Sequence, residues 1–182
     1  MFPAHYGFQN KPLAGKWLVS VPSSSYDQDT NGWNGYTLRQ IFYSAGISNT
    51  GGTKIRVTIN AGHNEGVYIA KCYIGKAAAS GHEYDFAAAP TQVTWDSGNA
   101  YISISANDSE VSDEITFELE SGEDYIIAMY FNSSNDSLEA NVVDSNFSAY
   151  YKSGDDVATV DASGYNAASS DNVGCIKIES YI

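Results

Sequence analysis

Asp27-Gln28-Asp29-Thr30-Asn31-Gly32 places oxygen-bearing side chains at alternate positions ahead of a glycine, the first half of a loop that can wrap Ca²⁺. Asp27, Asp29 and Asn31 are the candidate calcium ligands, for an ion the protein would accept without requiring it. The twelfth position of such a loop, where a bidentate glutamate closes the coordination shell, is Leu38. The competing reading is a plain turn built on Asx side chains.

Aromatic residues carry the second chemistry. The chain holds 14 Tyr, 7 Phe and 3 Trp, and two groups fall in turn-rich stretches: Tyr26, Trp33 and Tyr36, then Tyr150 and Tyr151. Flat rings with a polar rim stack on sugars or dock on proteins, so these five are the candidate ligand-binding residues, with core packing as the alternative use. The histidines, His5, His63 and His82, show no H-E-x-x-H spacing. His63 and His82 sit in glycine-containing turns and read as exposed loop residues. No catalytic set emerges, and a non-enzymatic role is expected.

These residues need a scaffold, and composition limits it. With 182 residues the chain builds one good core, so a single domain is expected over 17–182. A formal charge of −13, from 22 acidic against 9 basic residues, repels phosphate and anionic lipid. Nucleic acid and membrane insertion are therefore not expected as partners. The first residues, Met1-Phe2-Pro3-Ala4-His5-Tyr6-Gly7, read as a start without a Sec signal. Cys72 and Cys175 have no C-x-x-C spacing and lie in apolar runs, as buried free thiols do. N-x-S/T sequons at Asn107, Asn132, Asn135 and Asn146 mark polar turns.

Hydrophobic periodicity assigns the elements. Lys54–Asn60 and Glu114–Glu120 alternate apolar and polar without error and are the firmest strands; 174–182 alternates as well. Tyr125–Phe131 is a continuous apolar run bounded by turns, fitting a central strand covered on both faces. Further strands are expected at Trp17–Val21, Tyr36–Tyr43, Val67–Ile74, Gln92–Trp95, Tyr101–Ser105, Asn141–Asp144 and Val157–Val160. About ten strands and at most one helical turn, near the alanines at 77–79 or 87–89, predict an all-β antiparallel sandwich. Residues 1–16, with Pro3 and Pro12, lack alternation and read as an arm. It packs either on a neighbouring copy or on its own sandwich edge.

From Lys54 to Phe131, the succession KIRVTINAG, GVYIAKCYIGKAAASG, QVTWDSGN and EITFELESGEDYIIAMYFN resembles the β-sandwich domain that precedes the catalytic domain of some GDSL-type (SGNH) esterases. The Ile74-Gly75-Lys76-Ala77 stretch, the Trp95 stretch and the strand pair at Ile115–Leu119 and Glu123–Phe131 carry the likeness. It implies a jelly-roll-like accessory or binding module, and similar sandwiches occur in bacteriophage tail and capsid proteins. Asn135-Asp136-Ser137-Leu138 imitates the esterase nucleophile block, but Asn replaces its glycine and no histidine follows Ser137 to act as base. The expectation is a virion-associated, homo-oligomeric protein for assembly or host-surface attachment. The alternative is a carbohydrate-binding accessory module, cytoplasmic or released without a Sec signal, that takes a cell-surface glycan.

Overall fold

The structure, a computed structural model, describes residues 15–141, 144–170, 172–174 and 176–182. His5, Cys175 and all but two residues of the expected arm lie outside them. Sixteen strands run in chain order among the described residues. The first eight are β1 (Trp17–Val21), β2 (Gln28–Thr30), β3 (Tyr36–Phe42), β4 (Lys54–Asn60), β5 (Val67–Ile69), β6 (Lys71–Lys76), β7 (Thr91–Val93) and β8 (Ile102–Ile104). The rest are β9 (Ser109–Val111), β10 (Ile115–Thr116), β11 (Tyr125–Tyr130), β12 (Leu138–Asn141), β13 (Phe147–Ser153), β14 (Asn166–Ala167), β15 (Asn172–Val173) and β16 (Lys177–Tyr181). Among the described residues, a single 3-10 turn, Ser44–Gly46, is the helical content, and no helix is long and apolar enough to cross a membrane.

The fold is all-β with antiparallel sheets, as expected, but about ten strands become sixteen in four sheets. A six-stranded sheet runs β14-β13-β3-β11-β6-β7, and a five-stranded sheet runs β1-β16-β4, with β9 and β10 sharing the far edge of β4. Smaller sheets are β15-β12-β2 and β5-β8. The main core joins the large sheets: Ile55, Val57, Ile59 and Ile178 from the five-stranded one meet Leu38, Phe42, Ile74, Ile127 and Met129 from the other. Burying each such side chain contributes about 1.5–3 kcal/mol.

Alternation then sends the remaining residues of β3, β11 and β13 to the opposite face. There Ile41, Ile126 and Ala128 form a second cluster with Tyr84, Phe86, Val157, Ala162 and Tyr165, brought by the loops 77–90 and 155–165. Arg39 pins this layer. Fully buried, its guanidinium lies 4.6 Å from the Phe86 ring centroid and 5.1 Å from that of Tyr165, and donates to the Tyr84, Asp156 and Thr159 carbonyls at 2.5, 3.0 and 2.5 Å.

Several expected strands change on folding. Glu114–Glu120 keeps the expected inward Ile115 and Leu119, but only Ile115–Thr116 pairs with β4; Leu119 bridges to Gly51 instead. The burial pattern was right and the hydrogen-bond partner changes midway. Val67–Ile74 breaks at Ala70, whose N–H donates to the Tyr130 carbonyl at 2.9 Å, and the halves join different sheets. Val157–Val160 is a turn whose Val157 covers the outer face. The expected strand at Asn141–Asp144 reduces to the end of β12 at Asn141, and 142–143 fall outside the described residues. Tyr150 and Tyr151, expected in a loop, sit inside β13, which pairs along its whole length with β3.

Candidate functional site

One cleft, of about 430 Å³, opens beside the edge of the six-stranded sheet. Trp33, Tyr36 and Tyr151 form its aromatic side, Thr30, Asn31 and Gly32 one lip, and Ala167, Ala168 and Ser169 the other. Three of the five expected aromatic residues therefore meet. β13 and β3 are in register with Tyr151 opposite Leu38 and Ser153 opposite Tyr36, so Tyr36 and Tyr151 are diagonal neighbours on one face. Tyr151 stands edge-on to both Tyr36 and Trp33, each at 5.8 Å between centroids. Trp33 is 8% exposed and roots the trio in the main core, while both tyrosines remain half-buried.

The other two expected residues go elsewhere. Tyr150 is one position from Tyr151 and so faces the outer layer, where its hydroxyl donates to Glu83 and its ring lies 5.2 Å from that of Tyr84. Tyr26 is exposed and packs on the His63 ring at 3.9 Å. Desolvation, with the charges of Asp29 and Glu139, holds its hydroxyl above the ordinary tyrosine range.

The loop carrying Trp33 is tied down by backbone and carboxylate. Gly32 and Asn34 donate their N–H groups to the two oxygens of Asp136, at 3.2 and 2.7 Å. Gly32 has φ of +88°, a conformation that favours glycine. The Gly35 N–H donates to the Phe131 carbonyl and the Gly154 N–H to the Gly35 carbonyl, each at 2.8 Å. The opposite lip is fixed by the Ala168 N–H on the Ala149 carbonyl, 2.8 Å, and by Gln28 Nε2 on Ser170 Oγ, 3.3 Å.

Inside this fixed frame the polar side chains are uncommitted. Among the described residues, Thr30, Asn31, Tyr36, Tyr151 and Ser169 make no side-chain hydrogen bond. The hollows beside Lys76, of about 410 and 310 Å³, differ: Lys76 pairs with Glu123 at 2.9 Å and Glu120 at 3.4 Å, and Asp124 accepts the Ser44 N–H at 2.7 Å.

The calcium candidates are divided between tasks. Asp29, on β2, accepts the N–H groups of His63 and Asn64 at 2.8 and 3.1 Å and the Asn64 carboxamide at 2.9 Å. Burial alone would raise its carboxyl; these bonds outweigh burial and hold it below the ordinary range. Asn31 lines the cleft, and Asp27 precedes β2 with its N–H on the Ala140 carbonyl at 3.0 Å. Among the described residues, no three His, Cys, Asp or Glu side chains are arranged to hold a metal.

His63 is less isolated than its turn predicts. Its Nδ1 lies 3.4 Å from Glu139 and 3.7 Å from Asp29, residues directly opposed in the β12–β2 ladder. His82 stacks on Tyr84 at 4.8 Å. Ser137 is 2% exposed immediately before β12; a Cβ at Gly62 would collide with its hydroxyl oxygen. The Asn135–Leu138 segment thus contributes Asp136 as the anchor of the Trp33 loop. Sequence reasoning missed that role, and also the lip formed by Ala167, Ala168 and Ser169. The unbroken run of small and polar residues from Asn166 to Ser170 was the available signal.

No known protein family matches the chain, and no curated protein matches it in sequence, so a functional reading rests on this geometry.

Proposed function

We propose that this protein is a non-catalytic, sandwich-type module that binds a glycan in the Trp33–Tyr36–Tyr151 cleft. One observation carries the reading: three aromatic rings stand on a braced frame, and the hydroxyls of two of them, with the Thr30, Asn31 and Ser169 side chains, have no side-chain hydrogen-bond partner among the described residues. Aromatic faces match the C–H faces of a sugar ring, and free hydroxyl and amide groups match its hydroxyls. The jelly-roll form, the likeness to an esterase accessory domain and the attachment role of a virion protein are finer versions of the same proposal. The reading requires no cofactor; calcium at Asp27, Asp29 and Asn31 is checked by adding the ion to the same titrations.

A glycan array followed by isothermal titration tests the proposal. Tyr151→Ala is expected to abolish binding, whereas Tyr150→Ala, on the opposite face of the same strand, leaves it intact. Equal effects of the two variants, or no bound glycan, contradict it.

A second reading, docking in a homo-oligomeric assembly such as a virion, is favoured by a different surface. Among the described residues, no cluster of loop residues lies over the outer face of the five-stranded sheet, which exposes Val19, Val111 and Tyr181, with Ile182 at its end. Light scattering decides it: a defined oligomer that Val19→Asp dissociates supports the reading, and a monomer at all concentrations refutes it.

A further inference from the structure

Resting on the glycan reading, we infer that the cleft selects uncharged saccharides and rejects those bearing carboxylates. The protein carries a net charge of −13, yet none of the nine described residues that line the cleft is charged. This neutrality is built by the fold. Asp29 adjoins Thr30 in sequence, but its carboxylate is turned to the His63 and Asn64 amides. Lys152 adjoins Tyr151, and strand alternation sends its ammonium to Asp156 at 2.9 Å on the outer face. Asp136 lies beneath the Trp33 loop, 6% exposed, with each oxygen taken by a backbone N–H.

A neutral sugar entering the cleft exchanges water for free hydroxyl and amide partners. A uronate or sialylated sugar meets no cation there, so its carboxylate is left without a compensating charge. It also approaches through the repulsive field of an acidic protein, which in a low-dielectric cleft is focused more than dispersed. Arginine and lysine are what carboxylate recognition ordinarily uses, and the described residues of the cleft include neither.

Titration with matched ligands tests the inference: N-acetyllactosamine against its sialylated counterpart and a de-N-acetylated, cationic oligosaccharide. At low salt the neutral ligand is expected to bind at least about tenfold more tightly than the sialylated one, which corresponds to ~1.4 kcal/mol. Its affinity should stay constant from about 0.1 M to about 1 M salt, over which the screening length falls from about 10 Å to about 3 Å. Ala167→Lys, at an exposed position of the lip, should recover the sialylated ligand. Binding of the sialylated ligand as tightly as the neutral one at low salt overturns the selectivity and leaves the glycan reading standing. No binding of any of the three overturns both.

Discussion

Replacing Asp136 with alanine should loosen the loop that carries Trp33 while leaving the identity of every residue that lines the cleft unchanged. The change removes two hydrogen bonds to a buried carboxylate, at 2.7 Å from Asn34 and 3.2 Å from Gly32. Bonds to charged groups contribute about 1.5–3 kcal/mol each. The longer bond is weaker, and both donor residues are exposed enough for water to replace part of the loss. The expected cost is therefore about 2–3 kcal/mol, a fall in Tm of roughly 4–12 °C for a chain of this size. Urea unfolding followed by tryptophan fluorescence measures it, and glycan titration on the folded variant should show weakened affinity from the lost pre-organisation of Trp33. Asp136→Asn keeps one acceptor oxygen and should fall between. A stability change below about 0.5 kcal/mol, the range of neutral surface substitutions, would refute the assignment of Asp136 as the anchor.

Three further outcomes follow from the same packing. Arg39→Met leaves the Tyr84, Asp156 and Thr159 carbonyls without their donor, and should cost about 3–5 kcal/mol, with limited proteolysis cutting first within 155–165. Burial pushes the Cys72 thiol well above its ordinary range, so in a Cys175→Ser background it should resist a thiol reagent until the protein unfolds. The Asp113 carboxyl is lowered by the Ser97 N–H first, against a smaller opposing effect of burial, and that of Glu179 by Arg56 first. Because the unfolded chain binds these protons more readily, their stabilisation is complete above the ordinary values of 3.8 and 4.5 and is lost as pH falls through the lower folded values. NMR titration of both carboxyls, with unfolding midpoints from about pH 6 to pH 2, should show midpoints falling with acid; rising midpoints would contradict the pairing.

Strands that alternate and keep one partner were legible in the chain: Lys54–Asn60 and Trp17–Val21 have the expected bounds, and Tyr125–Tyr130 is central between β3 and β6. Periodicity reports which face a residue takes, and Ile115 and Leu119 point inward as it implies. It does not report which strand supplies the hydrogen bonds, so Glu114–Glu120 reads as one strand although its backbone changes neighbours. Phe147–Ser153 was hidden because both its faces are partly covered, one by the core and one by the outer loops, which erases the polar–apolar alternation. The same coverage explains the aromatic residues. Tyr150 and Tyr151 are adjacent in sequence and separated by the sheet, whereas Tyr151 is distant in sequence from Trp33 and Tyr36 and is brought to them by the β13–β3 register. Composition indicated an aromatic site, but only the register identifies its members.

The most direct test of the central claim is calorimetric titration of the protein and its Tyr151→Ala variant with a neutral oligosaccharide drawn from the array. Saturable binding by the native protein and none by the variant is the predicted result. Binding that survives the loss of Tyr151, or its absence from the native protein, would contradict the assignment of the cleft.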